Sequence, residues 1–315
     1  MNEPIDLYFV CVWPRAWLTL KPYPQPNTVL GTVRWRGQPV TVHLVTPDKI
    51  KIDKKKETSP PMYGLLKSNL QKQIRRQKVG AIATAAKMWE LNKFELLRRL
   101  TIVSAEDAMI GTETATIVWL MAAKSKGLIL TTKHKNWVMG YVQALVNVPT
   151  CLRLDIRNER LDLDPKLTPK DMLDSFHHQN EQLLAILFRC AYGGLSCDPP
   201  MLSRIIDYHL QQDLELHSLN VKPCSTIGPL KINPAAIDYH VWSDLVPEII
   251  KRHSDLDSEL LKHAIWECSS GVNKRNRIKR SVLKRGVWKR IKPDFDELGR
   301  GYLREMLKRH PLSFN

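Results

Sequence analysis

The chain is predicted to be an α+β protein, with a small N-terminal β module followed by a mainly α-helical body. Residues 1–53 hold short runs rich in Val, Tyr, Trp and Leu, punctuated by Pro and Gly. From Met62 onward, apolar residues recur at three- and four-residue steps instead. Between the two lies Lys54-Lys55-Lys56-Glu57-Thr58-Ser59-Pro60-Pro61, where like charges repel and two prolines block both helix and ladder, so residues 54–61 read as a linker.

In the β module the strand candidates are Leu7–Trp13, Trp17–Lys21, Val29–Trp35, Val40–Val45 and Ile50–Ile52. Arg36-Gly37-Gln38-Pro39 separates two alternating segments and predicts a hairpin. Such a unit is small and needs a partner surface to be stable. Trp13, Trp17 and Trp35 suit its core, although with Arg15, Arg34 and Arg36 around them they also suit stacking on bases.

The helical body begins with Leu65, Leu66, Leu70 and Ile74 on one stripe. Gly80–Leu91 is Ala-rich, with Asn92 as its expected C-cap. Lys93–Ala108, Thr112–Lys126 and Asn136–Asn147 follow, and Pro149 closes a helical domain over 62–150. A second helical region spans 151–273. Thr168-Pro169-Lys170-Asp171 has the order of an N-cap, a first-turn proline and a first-turn acid, and its helix can run to Tyr192 before Gly193-Gly194. Pro199–His217, Asp244–His253 and Ser258–Ser269 are further helices, and the prolines of Leu219–Pro234 make that stretch a loop. Residues 274–315 hold a basic segment and, after Pro293, a last amphipathic helix, Asp294–Arg309, with Phe295, Leu298, Tyr302, Leu303 and Met306 as its apolar positions.

Charge is the strongest compositional signal. The 315 residues carry a formal net charge of +16, and 43% of them are hydrophobic, enough for packed cores. Such an excess calls for a polyanionic partner, nucleic acid before an anionic membrane. Cys11, Cys151, Cys190, Cys197, Cys224 and Cys268 lack zinc-knuckle or redox spacing and read as reduced, intracellular thiols. Asn2, Glu3, Pro4 and Asp6 interrupt any early apolar run, so no signal peptide is expected, and no apolar stretch is long enough to span a bilayer.

The cations concentrate near the C-terminus. Lys274, Arg275, Arg277, Lys279, Arg280, Lys284, Arg285, Lys289, Arg290 and Lys292 occur with no acid between them and with Trp288 among them. Interleaved cations and an aromatic ring suit phosphate contact with stacking on an unpaired base. A solvated helix face or an import signal has the same composition. Arg75-Arg76 and Arg98-Arg99 add two pairs at helix edges, each expected to turn one guanidinium outward, with Glu106 and Asp107 as ion-pair partners.

Signals for chemistry are weaker. His177-His178 with Glu181 is half a metal site with no third ligand nearby. Asp207-Tyr208-His209 and Asp238-Tyr239-His240 repeat one tripeptide, which reads as hydrogen-bonded structural histidine. Cys268 has no local base and reads as a buried thiol. No catalytic residue, metal or cofactor is expected, and there is no Gly-x4-Gly-Lys-Ser/Thr loop to cradle a triphosphate.

Leu70, Gln71, Lys72, Ile74, Arg75 and Arg76, then an Ala-rich helix, then Arg98, Arg99, Leu100, Val103, Ser104, Glu106 and Asp107 form one ordered pattern. It resembles the C-terminal helical region of the clamp-loader-like AAA+ ATPases that include the RarA/MgsA family and the Werner-helicase-interacting ATPase. The resemblance covers residues 66–108 and leaves out the ATPase half, which has no counterpart here. It implies a helical collar that oligomerises and associates with DNA at replication forks, without ATP hydrolysis.

Sequence and resemblance together predict a non-enzymatic nucleic-acid-binding protein of replication, repair or recombination. DNA is preferred over RNA, the protein is a homo-oligomer or binds a replication protein, and its place is a nucleus, nucleoid or viral factory rather than a membrane or the exterior. The alternatives are an assembly or scaffold protein with a basic tail, and a nuclease whose carboxylates gather from distant helices.

Overall fold

A computed structural model describes residues 5–24, 27–35, 38–48, 51–53, 57–149, 180–192, 198–212, 214–239, 245–269 and 282–311. The protein is α+β, with one four-stranded sheet and, among the described residues, ten α-helices. The chain divides into two compact units, each assembled from separate stretches. The first comprises Met1–Glu57 and Asn92–Ser225, the second Thr58–Leu91 and Thr226–Asn315. The segment 62–150 therefore contributes to both.

In the first unit, β1 (Ile5–Val12), β2 (Arg15–Thr19), β3 (Asn27–Trp35) and β4 (Gln38–Val45) form a sheet of order β2-β1-β4-β3. The predicted hairpin is β3–β4, antiparallel from Asn27↔Val45 to Trp35↔Gln38 with an irregularity between Val29 and Gly31. β1 and β2 are also antiparallel, but β1 and β4 run parallel from Ile5↔Val40 to Val10↔Val45. Both central strands therefore end at the same edge of the sheet. The fifth strand candidate is reduced to an isolated bridge, Ile52↔Leu128, extended by Asp53 N–H to the Gly127 carbonyl (2.7 Å) and Ile129 N–H to the Lys51 carbonyl (2.8 Å).

Among the described residues, the helices of this unit are α3 (Lys93–Asp107), α4 (Thr114–Ser125), α5 (Thr132–Asn147), α6 (Asn180–Phe188), which passes into a 3-10 turn over Arg189–Tyr192, and α7 (Asp198–Gln211). Asn92 caps α3 from its N-terminal side, its side chain accepting from Glu95 N–H at 3.0 Å, instead of closing the preceding helix. The start at Thr168 lies outside the described residues. α4 is buried from Thr114 to Ala123, as expected of a helix apolar on every side. It packs on β1 and β2, on α3 and on α6. Its few polar groups are satisfied locally. Trp119 Nε1 donates to the Phe9 carbonyl (3.1 Å), Thr116 Oγ1 donates to the Pro14 carbonyl (2.8 Å), and Thr114 and Tyr141 share a hydrogen bond of 2.9 Å. Phe188 meets Phe9 edge-on at 5.7 Å and closes the core from α6.

Residues 214–225 have no regular secondary structure yet are well anchored. Glu113 accepts from Ser218 Oγ (2.6 Å) and Leu219 N–H (2.9 Å), and Cys224 N–H donates to the Asn136 carbonyl (2.8 Å). Gly140 of α5 is required here, because a Cβ at that position would lie 1.9 Å from the Lys222 carbonyl oxygen. Glu57, at the end of the expected linker, is held too. It accepts from Lys93 N–H (2.7 Å) and pairs with Lys93 and Lys124.

The second unit contains α1 (Tyr63–Arg75), α2 (Gly80–Leu91), a 3-10 turn at Pro234–Tyr239, α8 (Leu245–Arg252), α9 (Ser258–Ser269) and α10 (Val282–Arg309). The apolar stripe of α1 is buried as its periodicity predicts, and so are Ser68, Asn69, Gln71, Lys72, Gln73 and Arg75. These polar side chains hold backbone. Asn69 donates to Thr84 Oγ1 (2.8 Å) and to the Lys231 carbonyl (3.1 Å) and accepts from Asn233 N–H (3.0 Å). Gln73 donates to the same Lys231 carbonyl at 3.0 Å, and Lys72 donates to the Ala235 carbonyl. Burial, then Arg76 and Arg75, depress the Lys72 ammonium well below the lysine range.

Pro293 does not begin the last helix. It lies inside α10, which runs unbroken from Val282. The proline removes the hydrogen bond to the carbonyl four residues back, that of Lys289. Both Lys289 and Pro293 are on the exposed side, where water can serve the freed carbonyl, while Val287, Ile291 and Phe295 fix the opposite side in the core. His253 Nε2 and Arg252 both hold Asp294 (2.9 and 3.2 Å) and tie the end of α8 to α10.

Candidate nucleic-acid interface

The net charge is divided unequally. The second unit holds 24 Lys and Arg against 12 Asp and Glu, a net charge of +12, whereas the first holds 24 against 20, a net of +4. The smaller unit thus carries three quarters of the excess.

Among the described residues of this unit, α10 is the one long basic element. With 3.6 residues per turn, Arg285, Lys289, Arg300 and Arg304 fall on one side of the helix, opposite the buried Val287, Ile291 and Phe295. All four are exposed and make no ion pair among the described residues, with Glu305 beside Arg304 along the helix. From Arg285 to Arg304 the stripe runs about 28 Å at 1.5 Å per residue. Lys308 continues it with Glu305 beside it (2.8 Å), and Lys292 pairs with Asp296.

The predicted contact residues divide into five groups. Lys274, Arg275, Arg277, Lys279 and Arg280 lie outside the described residues. Arg285 and Lys289 are on the exposed stripe. Lys284 and Arg290 are engaged, the first by Glu267 and the second by both oxygens of Asp255 (2.6 and 2.8 Å). Trp288 is half-buried and meets Phe295 edge-on at 5.4 Å, so its ring serves the core. The helix-edge pairs are largely inward. Arg75 and Arg99 are buried, Arg76 donates to the Ser269 carbonyl, and Arg98 pairs with Glu95 (3.1 Å), one turn away on its own helix, rather than with Glu106 or Asp107.

Sequence reasoning missed Arg300 and Arg304. The apolar positions alone define the final helix in the sequence, and the four-residue spacing Arg285-Lys289 and Arg300-Arg304 is the signal that points to them. The buried Arg189 was missed as well. Its Nε donates to the Arg98 carbonyl (3.1 Å), and burial followed by the nearby Arg98 lowers its pKa to about 10.

The chemistry candidates give no cluster. His177 and His178 lie outside the described residues, as does His240. His209 is buried, its Nδ1 against the Leu214 carbonyl (3.3 Å), and burial lowers its pKa, which matches a structural role. Cys268 is buried. Trp13 and Trp17 are half-buried against His134 and Tyr23, and the Trp35 side chain lies outside the description. Among the described residues, no three His, Cys, Asp or Glu side chains gather as a metal site, and no helix is long and apolar enough to cross a membrane.

Comparison of the chain with family models, curated proteins and solved structures finds no match in any of the three. The resemblance at residues 66–108 therefore rests on its own residues. Its two arginine-bearing halves fall in different units, Leu66–Arg76 in the second and Leu97–Ala108 in the first.

Proposed function

We propose that this is a non-enzymatic nucleic-acid-binding protein that holds the phosphate backbone, of DNA in preference to RNA, along the exposed side of α10. The observation that supports the reading is the concentration of charge, net +12 in the smaller unit, with Arg285, Lys289, Arg300 and Arg304 aligned on its longest helix. Such contacts are sequence-independent and release counterions. The fork-associated role belongs to the collar resemblance and is part of the same proposal.

The test is duplex-DNA affinity across a salt series. The logarithm of the association constant should fall linearly with the logarithm of salt, by about 0.9 per phosphate neutralised. Replacing Arg285, Lys289, Arg300 and Arg304 together by Ala should flatten that slope by about 2 to 4. Affinity indifferent to salt, or an unchanged slope in the variant, would overturn the assignment.

A further inference from the structure

The first unit contains a cavity of about 330 Å³ whose wall includes Trp13, Asp48, Lys51, Ile129, Lys133 and His134. Its position follows from the topology. β1 and β4 are the parallel central pair, so Trp13 just after β1 and Thr46 and Asp48 just after β4 emerge at one edge of the sheet. The remaining wall comes from α4, the bridge at Leu128 and the first turn of α5.

The lining is of two kinds. Trp13, Trp119, Leu128 and Ile129 supply apolar surface suited to a flat ring. Lys51 and Lys133 supply two positive charges against one from Asp48, leaving a net of +1. Lys133 Nζ stands 5.5 Å from the centre of the Trp13 ring, which holds a cation beside the apolar wall. Lys51 is fixed by its carbonyl, which accepts from Ile129 N–H. His134 takes the Thr131 N–H on Nδ1 (2.9 Å), so its own proton is on Nε2. Burial and then Lys133 lower its pKa and keep it neutral at pH 7. Burial, reinforced by Asp48, pushes the Cys11 thiol far up, so no thiolate is present and the cavity is equipped to bind rather than react.

We infer that this cavity binds a small aromatic ring bearing one acidic group, with the acid on Lys51 and Lys133 and the ring against Trp13 and Ile129. That chemistry is shared by aromatic carboxylates and by nucleoside 5′-monophosphates, and the volume, at the low end for small-ligand pockets, limits the ligand to that size.

The full-length protein is titrated by calorimetry and tryptophan fluorescence with 4-hydroxybenzoate, with UMP, with phenol and with inorganic phosphate. One of the two aromatic acids should saturate and change the fluorescence, and the one that does names the source. Phenol and phosphate should bind at least about tenfold more weakly, since each supplies half the recognition. K51A/K133A should lose about tenfold or more in affinity. Ile129→Trp, which keeps the charges and fills the cavity at an exposed position, should abolish binding, whereas the α10 quadruple variant should bind like the parent. The inference is overturned if neither aromatic acid saturates, if phosphate alone binds as tightly, or if K51A/K133A and Ile129→Trp both retain the parent's affinity.

Discussion

Both units bury apolar side chains, but they use polar ones differently. The first covers its sheet with an apolar helix, α4, whose few polar groups donate to carbonyls of the first strand and the turn after it, and its charge is nearly balanced. The second has a first helix whose inward polar side chains, beside a buried apolar stripe, hold backbone at Lys231, Asn233 and Ala235, and it carries most of the positive charge.

That contrast is most sharply tested in the first core. Phe188→Ala should destabilise the first unit by about 3–5 kcal/mol, read by denaturant unfolding, because Phe188 is fully buried against Phe9. Hydrogen exchange should show the loss concentrated in β1, β2 and α4. In the second unit the corresponding break is polar. Asn69→Leu should cost about 1–3 kcal/mol, chiefly through the Asn233 amide left without its acceptor, since Gln73 still donates to the Lys231 carbonyl, and exchange should quicken around residues 231–236. Equal losses in both units from either substitution would erase the distinction.

The response to pH should separate the units next. The Lys72 ammonium is depressed, so between its lowered value and the ordinary 10.5 the unfolded chain binds more protons than the folded one. Stability of the second unit should therefore rise as pH increases through that interval, and Lys72→Met should remove the rise. Glu57 acts in the other range. Burial raises its pKa, but the Lys124 hydrogen bond and the charges of Lys93 and Lys124 outweigh this and hold it below the ordinary 4.5. Its contribution to the first unit is present above 4.5 and lost as pH falls through the folded value, a loss that Glu57→Gln should abolish. The smallest effect belongs to the exposed Arg290–Asp255 pair, where Arg290→Ala should leave the unfolding midpoint unchanged within error.

Much of this architecture was legible in the residues. Alternation and punctuation placed four strands, and the 3.6-residue period placed α2 and α9 to their end residues, because these patterns are local. The parallel β1–β4 pairing was not legible, since no turn links the two strands. The inward polar side of α1 was invisible for a related reason. Amphipathic reading assigns Asn69 and Lys72 to water, and only their partners near Lys231, far along the chain, bring them in. Asn92 shows the same limit at close range. The β3–β4 hairpin follows from a short local break between two alternating segments, whereas Asn92 can end one helix or begin the next until Glu95 N–H engages its side chain. For the candidate interface, charge composition pointed to the C-terminal part of the sequence without distinguishing cations held by Glu267 and Asp255 from those on the outer side of α10.

The division into interleaved stretches bears on how the molecule is made. On a ribosome, α1 and α2 emerge early, but the strands of contact they require, at residues 226–315, are translated only after the whole of Asn92–Ser225. During that interval α1 and α2 can pack on each other but lack the turn at Pro234–Tyr239 that completes the cover of α1, so part of its apolar stripe stays open until the later residues are made.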